Sequence, residues 1–436
     1  MDAFVSRKRR KVSTEPANPP RPPTTSANNA STDFKLALLT SICPDIAQEA
    51  LLDCLLAHNG SVEDASEALQ QSAQLESPRK RSSIGQQSSM TMYTAQPSNG
   101  KRKLLKPAKG KTLHLFSAED IEHNTPCSII HNFLPLHEAT ELLRELLHLT
   151  PTFRQETFQL FDRTVVSPHS MAFFVDTTRD VEQQKTEYVY NGSRIPDVRQ
   201  TAPEMFKVSH RVQSTVNHEV ARRCRDFYPN GKKLKFQSPK PFRTNASFVN
   251  CYDGGAESVG YHSDQLTYLG PKPVIGSLSL GVAREFRVRR IVPPDEPDSA
   301  DAQGQIAIHL PHNSLLVMHA EMQEEWKHAV APAQTIDPHP IAGNKRLNIT
   351  YRCYQDYLHP KYTPRCKCNV PTVLRCVQKR RATRGRYVWM CHSSYVPGQK
   401  GCDYFAWAEF DEDGRPPWVE GYTGNANVPP ESAPGG

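Results

Sequence analysis

From Phe236 to Tyr357 the apolar residues come in short β-type runs divided by Gly and Pro turns, with no alternation of strand and helix signals. A parallel sheet needs a helical crossover between successive strands. Without crossovers, sheets must pack on one another, so the pattern predicts a β-sandwich or jelly roll and excludes a Rossmann sheet. Helical periodicity lies upstream, over 135–149 and 202–227. Residues 113–360 therefore read as one β-rich domain with flanking helices.

Composition bounds the rest. Only 37% of the 436 residues are hydrophobic and 36 are Pro, so parts of the chain bury no core. The disordered parts are predicted at 1–30, 73–112 and 419–436. No apolar run approaches a membrane span and no signal-peptide pattern opens the sequence, which argues against membrane insertion and secretion. The 11 Cys read as reduced thiols or metal ligands in a reducing compartment. The net charge of +7 is modest, but the basic residues cluster. Arg7-Lys8-Arg9-Arg10-Lys11 reads as a nuclear import signal, and 79–111 carries nine basic residues and no acid. Such a tether attracts phosphates without reading sequence.

Residues 31–72 show three short amphipathic helices, broken at Cys43-Pro44 and at Asn59-Gly60-Ser61. This small three-helix bundle resembles the CUE family, with Ile42-Cys43-Pro44 where that family carries Met-Phe-Pro. The resemblance implies ubiquitin or a ubiquitylated protein as partner. A generic protein-binding bundle is the alternative.

The central domain carries His262-Ser263-Asp264. On a strand, residues i and i+2 share a face, so one imidazole and one carboxylate can hold a single ion. A second, distant His completes a facial triad that leaves open positions on Fe(II). An isolated H-x-D arises on the order of once by chance in a chain this long. Supporting it, His328 follows the apolar run Leu315-Leu316-Val317-Met318, with His319 as the rival ligand. Then Arg346, Asn348, Thr350 and Arg352 alternate with Leu347, Ile349 and Tyr351. Two arginines and an amide on an inward face call for an anion, and a dicarboxylate suits a guanidinium. Phe248, Asn250 and Tyr252 share a face and can point into the same cavity.

This order of parts resembles the AlkB family of Fe(II)- and 2-oxoglutarate-dependent dioxygenases. The resemblance implies a double-stranded β-helix, that is, a jelly roll. It implies iron on His262, Asp264 and His328, and Arg346 on the distal carboxylate of 2-oxoglutarate. Asn250, Tyr252 and Asn348 stand beside it by the same resemblance, and Arg352 lines the site. The implied reaction is oxidative removal of N-methyl groups from bases such as 1-methyladenine or 3-methylcytosine. Family members acting on nucleic acid often carry an acid two residues after the ligand Asp; here Leu266 stands there. Phe173, Phe174 and Tyr188 are candidates for base stacking from a lid, against a core reading. The turn Ser167-Pro168-His169-Ser170 is a candidate for the rim.

Residues 361–418 form a Cys-bearing module. Cys366 and Cys368, then Cys391 and Cys402, can close a tetrahedral zinc site, with Cys376 and His392 as rivals. With Gly385-Arg386 and the aromatics Tyr404, Phe405 and Trp407, the segment resembles the GRF zinc-finger family. That resemblance makes Cys366, Cys368, Cys391 and Cys402 ligands of Zn(II) in a small β module and implies single-stranded nucleic acid as partner. The combined expectation is a nuclear DNA-repair dioxygenase. The alternatives are the same chemistry on RNA or methylated protein, or a non-catalytic adaptor.

Overall fold

The computed structural model describes Cys54, Leu55, Ala65, Pro107 and residues 110–424, apart from 161–162, 191–193, 196, 294–303 and 397. The chain divides into two compact units, Met1–Gly100 and Lys101–Gly436. In the first, the three described residues are helical, and Leu55 and Ala65 are buried. The basic run at 7–11, nearly all of the helical module at 31–72 and of the linker at 73–112, and the tail beyond 424 lie outside the described residues. Among the described residues no helix is long and apolar enough to cross a membrane.

The second unit opens with β1 (Thr112–Leu115), α1 (Ala118–Asn124), β2 (Cys127–Ile130) and α2 (Leu136–Leu149). The hairpin β3 (Thr157–Leu160) and β4 (Arg163–Val166) leads to β5 (Ser170–Val175), α3 (Thr178–Glu187), β6 (Val198–Gln200) and α4 (Pro203–Phe227). Next come β7 (Ala246–Asp253), β8 (Val259–His262), β9 (Ile275–Gly281), β10 (Arg284–Arg290), β11 (Gln305–Leu310) and β12 (Ser314–Met318). The short α5 (Met322–Glu325), β13 (Trp326–Val330) and β14 (Lys345–Arg352) follow. Last are β15 (Val373–Cys376), β16 (Tyr387–Met390) and β17 (Phe405–Ala408).

The strands form a five-stranded sheet, β1-β11-β10-β13-β8, and a seven-stranded sheet, β2-β12-β9-β14-β7-β5-β6. Their inner faces share one apolar core, which includes Phe173, Phe248, Val288, Ile308 and Leu316. From β7 to β14 no helical crossover joins parallel strands, and the two facing sheets form the expected jelly roll; β5 and β6 pair in parallel across α3, and β1 pairs in parallel with β11. The outer face of the larger sheet packs on α2 and α4 through Leu142, Leu146, Val212, Val216, Leu278 and Ile349. Both helices fall where periodicity places them. Gly276 lets α4 approach: a Cβ there would lie 3.2 Å from Val216 and 3.3 Å from Val212.

Of the C-terminal cysteines Cys376 lies on the three-stranded sheet β15-β16-β17, and Cys366, Cys368, Cys391 and Cys402 lie in the segments that flank its strands. The boundary expected at 360/361 falls inside one compact unit. Leu266 and Leu358 of the oxygenase part share a core with Leu374, Tyr387, Trp389 and Phe410. Residues 419–424, expected in a disordered tail, return to the fold, where the Thr423 N–H donates to Asp411 at 3.3 Å.

Candidate active site

Strands β8 and β13 pair with His262 opposite His328. The strand ends at His262, so Asp264 does not share a ladder face with it as the H-x-D spacing predicted. The Asp264 N–H instead donates to Gln323 Oε1 at 2.7 Å, which turns its carboxylate back toward both rings. Asp264 Oδ1 lies 3.8 Å from His262 Nε2 and 3.4 Å from His328 Nε2. One ligand atom from each of the three residues falls within 4.8 Å of the others. His262 Nδ1 is 2.8 Å from the Gly260 carbonyl; donation there leaves Nε2 as a free lone pair facing the carboxylate. This is the donor chemistry a divalent metal requires.

The electrostatics agree. Burial and the neighbouring His328 hold His262 down to about 4, so its ring is neutral at pH 7. The His262 side chain is 41% exposed. Burial alone would raise the Asp264 carboxyl, but Arg352 and the two histidines pull it well below the usual carboxylate range. Arg352 Nη2 donates to Asp264 Oδ2, and the guanidinium lies 4.4 Å from the centre of the Phe248 ring. Arg352 thus lines the site, as the sequence implied, by gripping the carboxylate of the triad. The rival His319 is buried elsewhere, 3.0 Å from Ser128 Oγ.

The opposite wall is β14. Arg346 pairs in register with Tyr252, and Asn348 with Asn250. Arg346 is 1% exposed. Its Nη2 donates to Ser279 Oγ and to Asn348 Oδ1, each at 2.9 Å, while Nε and Nη1 lack hydrogen-bond partners. Burial pushes this guanidinium down to about 10, the nearby Tyr252 opposing that and Arg284 adding to it. Among the described residues no carboxylate pairs with it. A buried cation with two idle N–H groups fits an anionic ligand such as the carboxylate of 2-oxoglutarate. Asn348 is fixed by Ser277 Oγ at 2.9 Å and by its own donation to Thr350 Oγ1 at 2.8 Å. Tyr252 is buried and stacks on His169 with ring centres 4.8 Å apart, and half-buried Asn250 stands beside them.

Several contributors were not singled out from sequence. Gln323 holds Asp264, while Ser277 and Ser279 hold the rib of β14; the two serines were legible as small polar residues alternating with Leu278 and Leu280. His169, in the turn that was a candidate for the rim, is buried against Tyr252. Phe173, Phe174 and Tyr188 are buried, so the core reading holds for them, although Phe173 also borders a recess. That recess is lined by Glu156, Tyr190 and Phe248; a second one holds Tyr190, Gln265, Arg352 and Tyr354. Burial raises the Glu156 carboxyl, with Arg154 opposing.

Beside the C-terminal sheet the Sγ atoms of Cys366, Cys368, Cys391 and Cys402 all lie within 4.8 Å of one another. The amides of Ser393 and Cys402 donate to Cys391 Sγ at 3.5 and 3.4 Å. Burial would raise this thiol; those donors and the Ser393 hydroxyl bring it down to about 6 instead. The rivals lie outside the cluster: burial pushes Cys376 up to about 12, and His392 Nε2 meets the Pro371 carbonyl at 2.9 Å.

A jelly roll with two histidines and an aspartate opposite a buried arginine defines an iron- and 2-oxo-acid-dependent oxygenase. Residues 126–352, more than half of the chain, match the family described as the 2OG-Fe(II) oxygenase superfamily, and the chain belongs to it. Its oxygenase domain is similar to AlkB homologues. It is 36% identical over 121 residues to the mouse alpha-ketoglutarate-dependent dioxygenase alkB homolog 3, which is 28% of this chain and 40% of that protein. It is 24% identical over 257 residues to the DNA oxidative demethylase ALKBH2 of Arabidopsis thaliana, 53% of this chain and 68% of that protein. The chain thus spans about two fifths of the first of these relatives.

Proposed function

We propose that this oxygenase removes N-methyl groups from nucleobases in DNA, with His262, Asp264 and His328 as iron ligands and Arg346 as the anchor of 2-oxoglutarate. When bound, iron and 2-oxoglutarate supply the oxidising chemistry, with dioxygen as oxidant and succinate and carbon dioxide as products. The chain's part is to hold and orient. Arg346 offers Nε and Nη1 to a carboxylate, fixed by Ser279 and Asn348. Arg352 keeps Asp264 ionised and aimed. An N-methyl group hydroxylated in this site leaves as formaldehyde, restoring the base.

The observation that carries nucleic acid as substrate is a band of positive charge beside the ligand strand. Arg289 and Arg290 on β10 face Lys327 and Trp326 on β13, next to His328. Lys379 of the C-terminal module continues the band: burial, Arg289 and Lys379 together lower the Lys327 ammonium. Arg289 also lies 4.1 Å from the centre of the Tyr261 ring, and Arg386 3.7 Å from that of Trp407. Cations interleaved with rings suit a flexible polyanion with stackable bases. In the recess, Glu156 among Tyr190, Phe173 and Phe248 suits a flat base that methylation has made cationic. A base reaches such a recess only flipped out or single-stranded.

The test is turnover with Fe(II), 2-oxoglutarate and single-stranded DNA carrying 3-methylcytosine or 1-methyladenine, followed by mass spectrometry. Wild type should remove the methyl group and His262→Ala should not. Conversion of 2-oxoglutarate without loss from DNA moves the substrate to RNA or methylated protein. Activity in His262→Ala rejects the ligand assignment.

We further propose that the four clustered cysteines bind zinc. Cys391→Ala should lose the metal, measured by elemental analysis of the purified full chain; retained zinc removes Cys391 from the ligand set. The nuclear address read from Arg7 to Lys11 and the ubiquitin reading of 31–72 belong to the same proposal and rest on sequence.

A further inference from the structure

Asp264 is placed by side chains rather than by a strand ladder, and the chain of contacts that places it leads out of the oxygenase part. Its N–H rests on Gln323 Oε1, and the Gln323 carbonyl accepts from Gln378 Nε2 at 3.1 Å. The same Gln378 Nε2 lies 3.4 Å from Ser263 Oγ, the residue between the two ligands of the H-x-D. Ser263 Oγ in turn donates to the Trp326 carbonyl at 3.0 Å, two residues before His328. Gln378 thus touches the loop bearing Asp264 and the short helix α5 leading to His328.

A second set of contacts lies beside the first. Tyr387 on β16 donates its hydroxyl to Glu324 Oε1 at 2.5 Å. Glu324 is 3% exposed and also takes the Lys272 N–H at 2.8 Å and Lys272 Nζ at 2.9 Å. The Leu374 N–H donates to Thr267 Oγ1 at 3.3 Å. Leu266, where nucleic-acid relatives were expected to carry an acid, is buried in the core formed with Leu374, Tyr387, Trp389 and Phe410. Residues on both sides of Asp264, and the helix before His328, therefore all rest on the C-terminal sheet.

We propose that Gln378 and Tyr387 are positioning residues for the triad, so that the C-terminal module sets how well the oxygenase site holds its metal. The proposal rests on the ligand reading of His262, Asp264 and His328. A metal-binding carboxylate must be held within about 0.5 Å of its productive position. Gln378, 115 positions from Ser263 in sequence, supports the loop that carries Asp264 through Ser263 and through the Gln323 carbonyl. Loss of an outer partner bonded directly to a ligand weakens a metal site by roughly 10- to 100-fold, and Gln378 acts one contact further out, which puts its effect at the low end of that range.

The test uses the full chain and Mn(II) as probe, titrated with 2-oxoglutarate present and read as free Mn(II) by electron paramagnetic resonance. Gln378→Met keeps the length of the side chain and removes its donor; Tyr387→Phe keeps the ring and removes the hydroxyl. Mn(II) affinity should fall about tenfold in Gln378→Met and by a smaller, measurable factor in Tyr387→Phe. Zinc content and affinity for unmodified single-stranded DNA should stay at wild-type values. His262→Ala sets the floor. If His262→Ala loses Mn(II) while both variants match wild type, the positioning role is overturned and the ligand reading stands. If His262→Ala binds like wild type, the ligand reading is what fails. Weaker DNA binding with unchanged Mn(II) affinity also overturns the proposal, since it describes a tether. Should Gln378→Met lower the melting temperature, Tyr387→Phe alone decides.

Discussion

Arg346 is the most demanding residue of the site, because it is a buried charge with no counter-ion among the described residues. Ser279 and Asn348 occupy one of its nitrogens and leave two idle. Arg346→Lys keeps the charge and loses the planar fork, so the two-point grip on a carboxylate disappears. The KM for 2-oxoglutarate should rise roughly 10- to 100-fold, with kcat at saturating 2-oxoglutarate changed far less. An unchanged KM would remove Arg346 from the cosubstrate site. Arg346 was legible in the sequence because its chemistry fixes its residue type and the strand period fixes its face. Its partner Ser279 is marked only by alternation with Leu278 and Leu280, a weak signal within an apolar run. The contact of Arg352 with Asp264 was not legible either, because the two are 88 residues apart and meet only when the sheets close.

At the scale of elements, β14 shows what alternation can and cannot reveal. Its two faces were separable: Arg346, Asn348 and Thr350 turn inward, while Leu347, Ile349 and Tyr351 pack toward α2 and α4. Strand β5 was harder. Its run Ser-Met-Ala-Phe-Phe-Val is buried on both faces, so it carries no period and its phenylalanines read equally as lid or core. The short strand β8 was legible only through its histidine, and beyond its end at His262 the Asp264 N–H goes to Gln323, a long-range partner. Turns can be tested directly. Gly281 closes β9 at φ +83°, and a Cβ there would meet the Lys345 carbonyl oxygen at 2.3 Å, inside the ladder with β14. Gly254 has a similar φ of +86° with nothing within 4 Å. Gly254→Ala should therefore cost about 1–2 kcal/mol for the left-handed backbone alone. Gly281→Ala should exceed that, since backbone must also move. Urea denaturation of the pair measures the difference; equal midpoints would mean the β9 turn relaxes freely.

Across the whole second unit, the histidines make stability depend on acid. Burial is the leading cause that lowers His169 behind Tyr252, His319 between β2 and β12, and His392 in the C-terminal module. His319 is lowered furthest, with Arg223 and Arg222 adding to the effect of burial. In the unfolded chain each returns to about 6.5. Below that value the unfolded state binds protons that the folded state refuses, so the stability present above pH 6.5 is lost as pH falls. For His319 alone the slope approaches about 1.4 kcal/mol per pH unit once pH lies well below 6.5. Glu156 and Asp176 act in the opposite direction, since burial raises both carboxyls, but their effect begins nearer the ordinary carboxylate range. The melting temperature of the metal-free full chain should thus fall between pH 7.5 and 5.5. His319→Gln can keep a hydrogen bond to Ser128 without titrating, so it should flatten that fall. A melting temperature independent of pH in this window would contradict the burial of these rings as neutral groups. The oxygenase sheets and the cysteine-bearing sheet share the core around Leu266 and Tyr387. His392 and His319 should therefore report on one transition, and calorimetry should show a single peak for this unit that moves with pH as a whole.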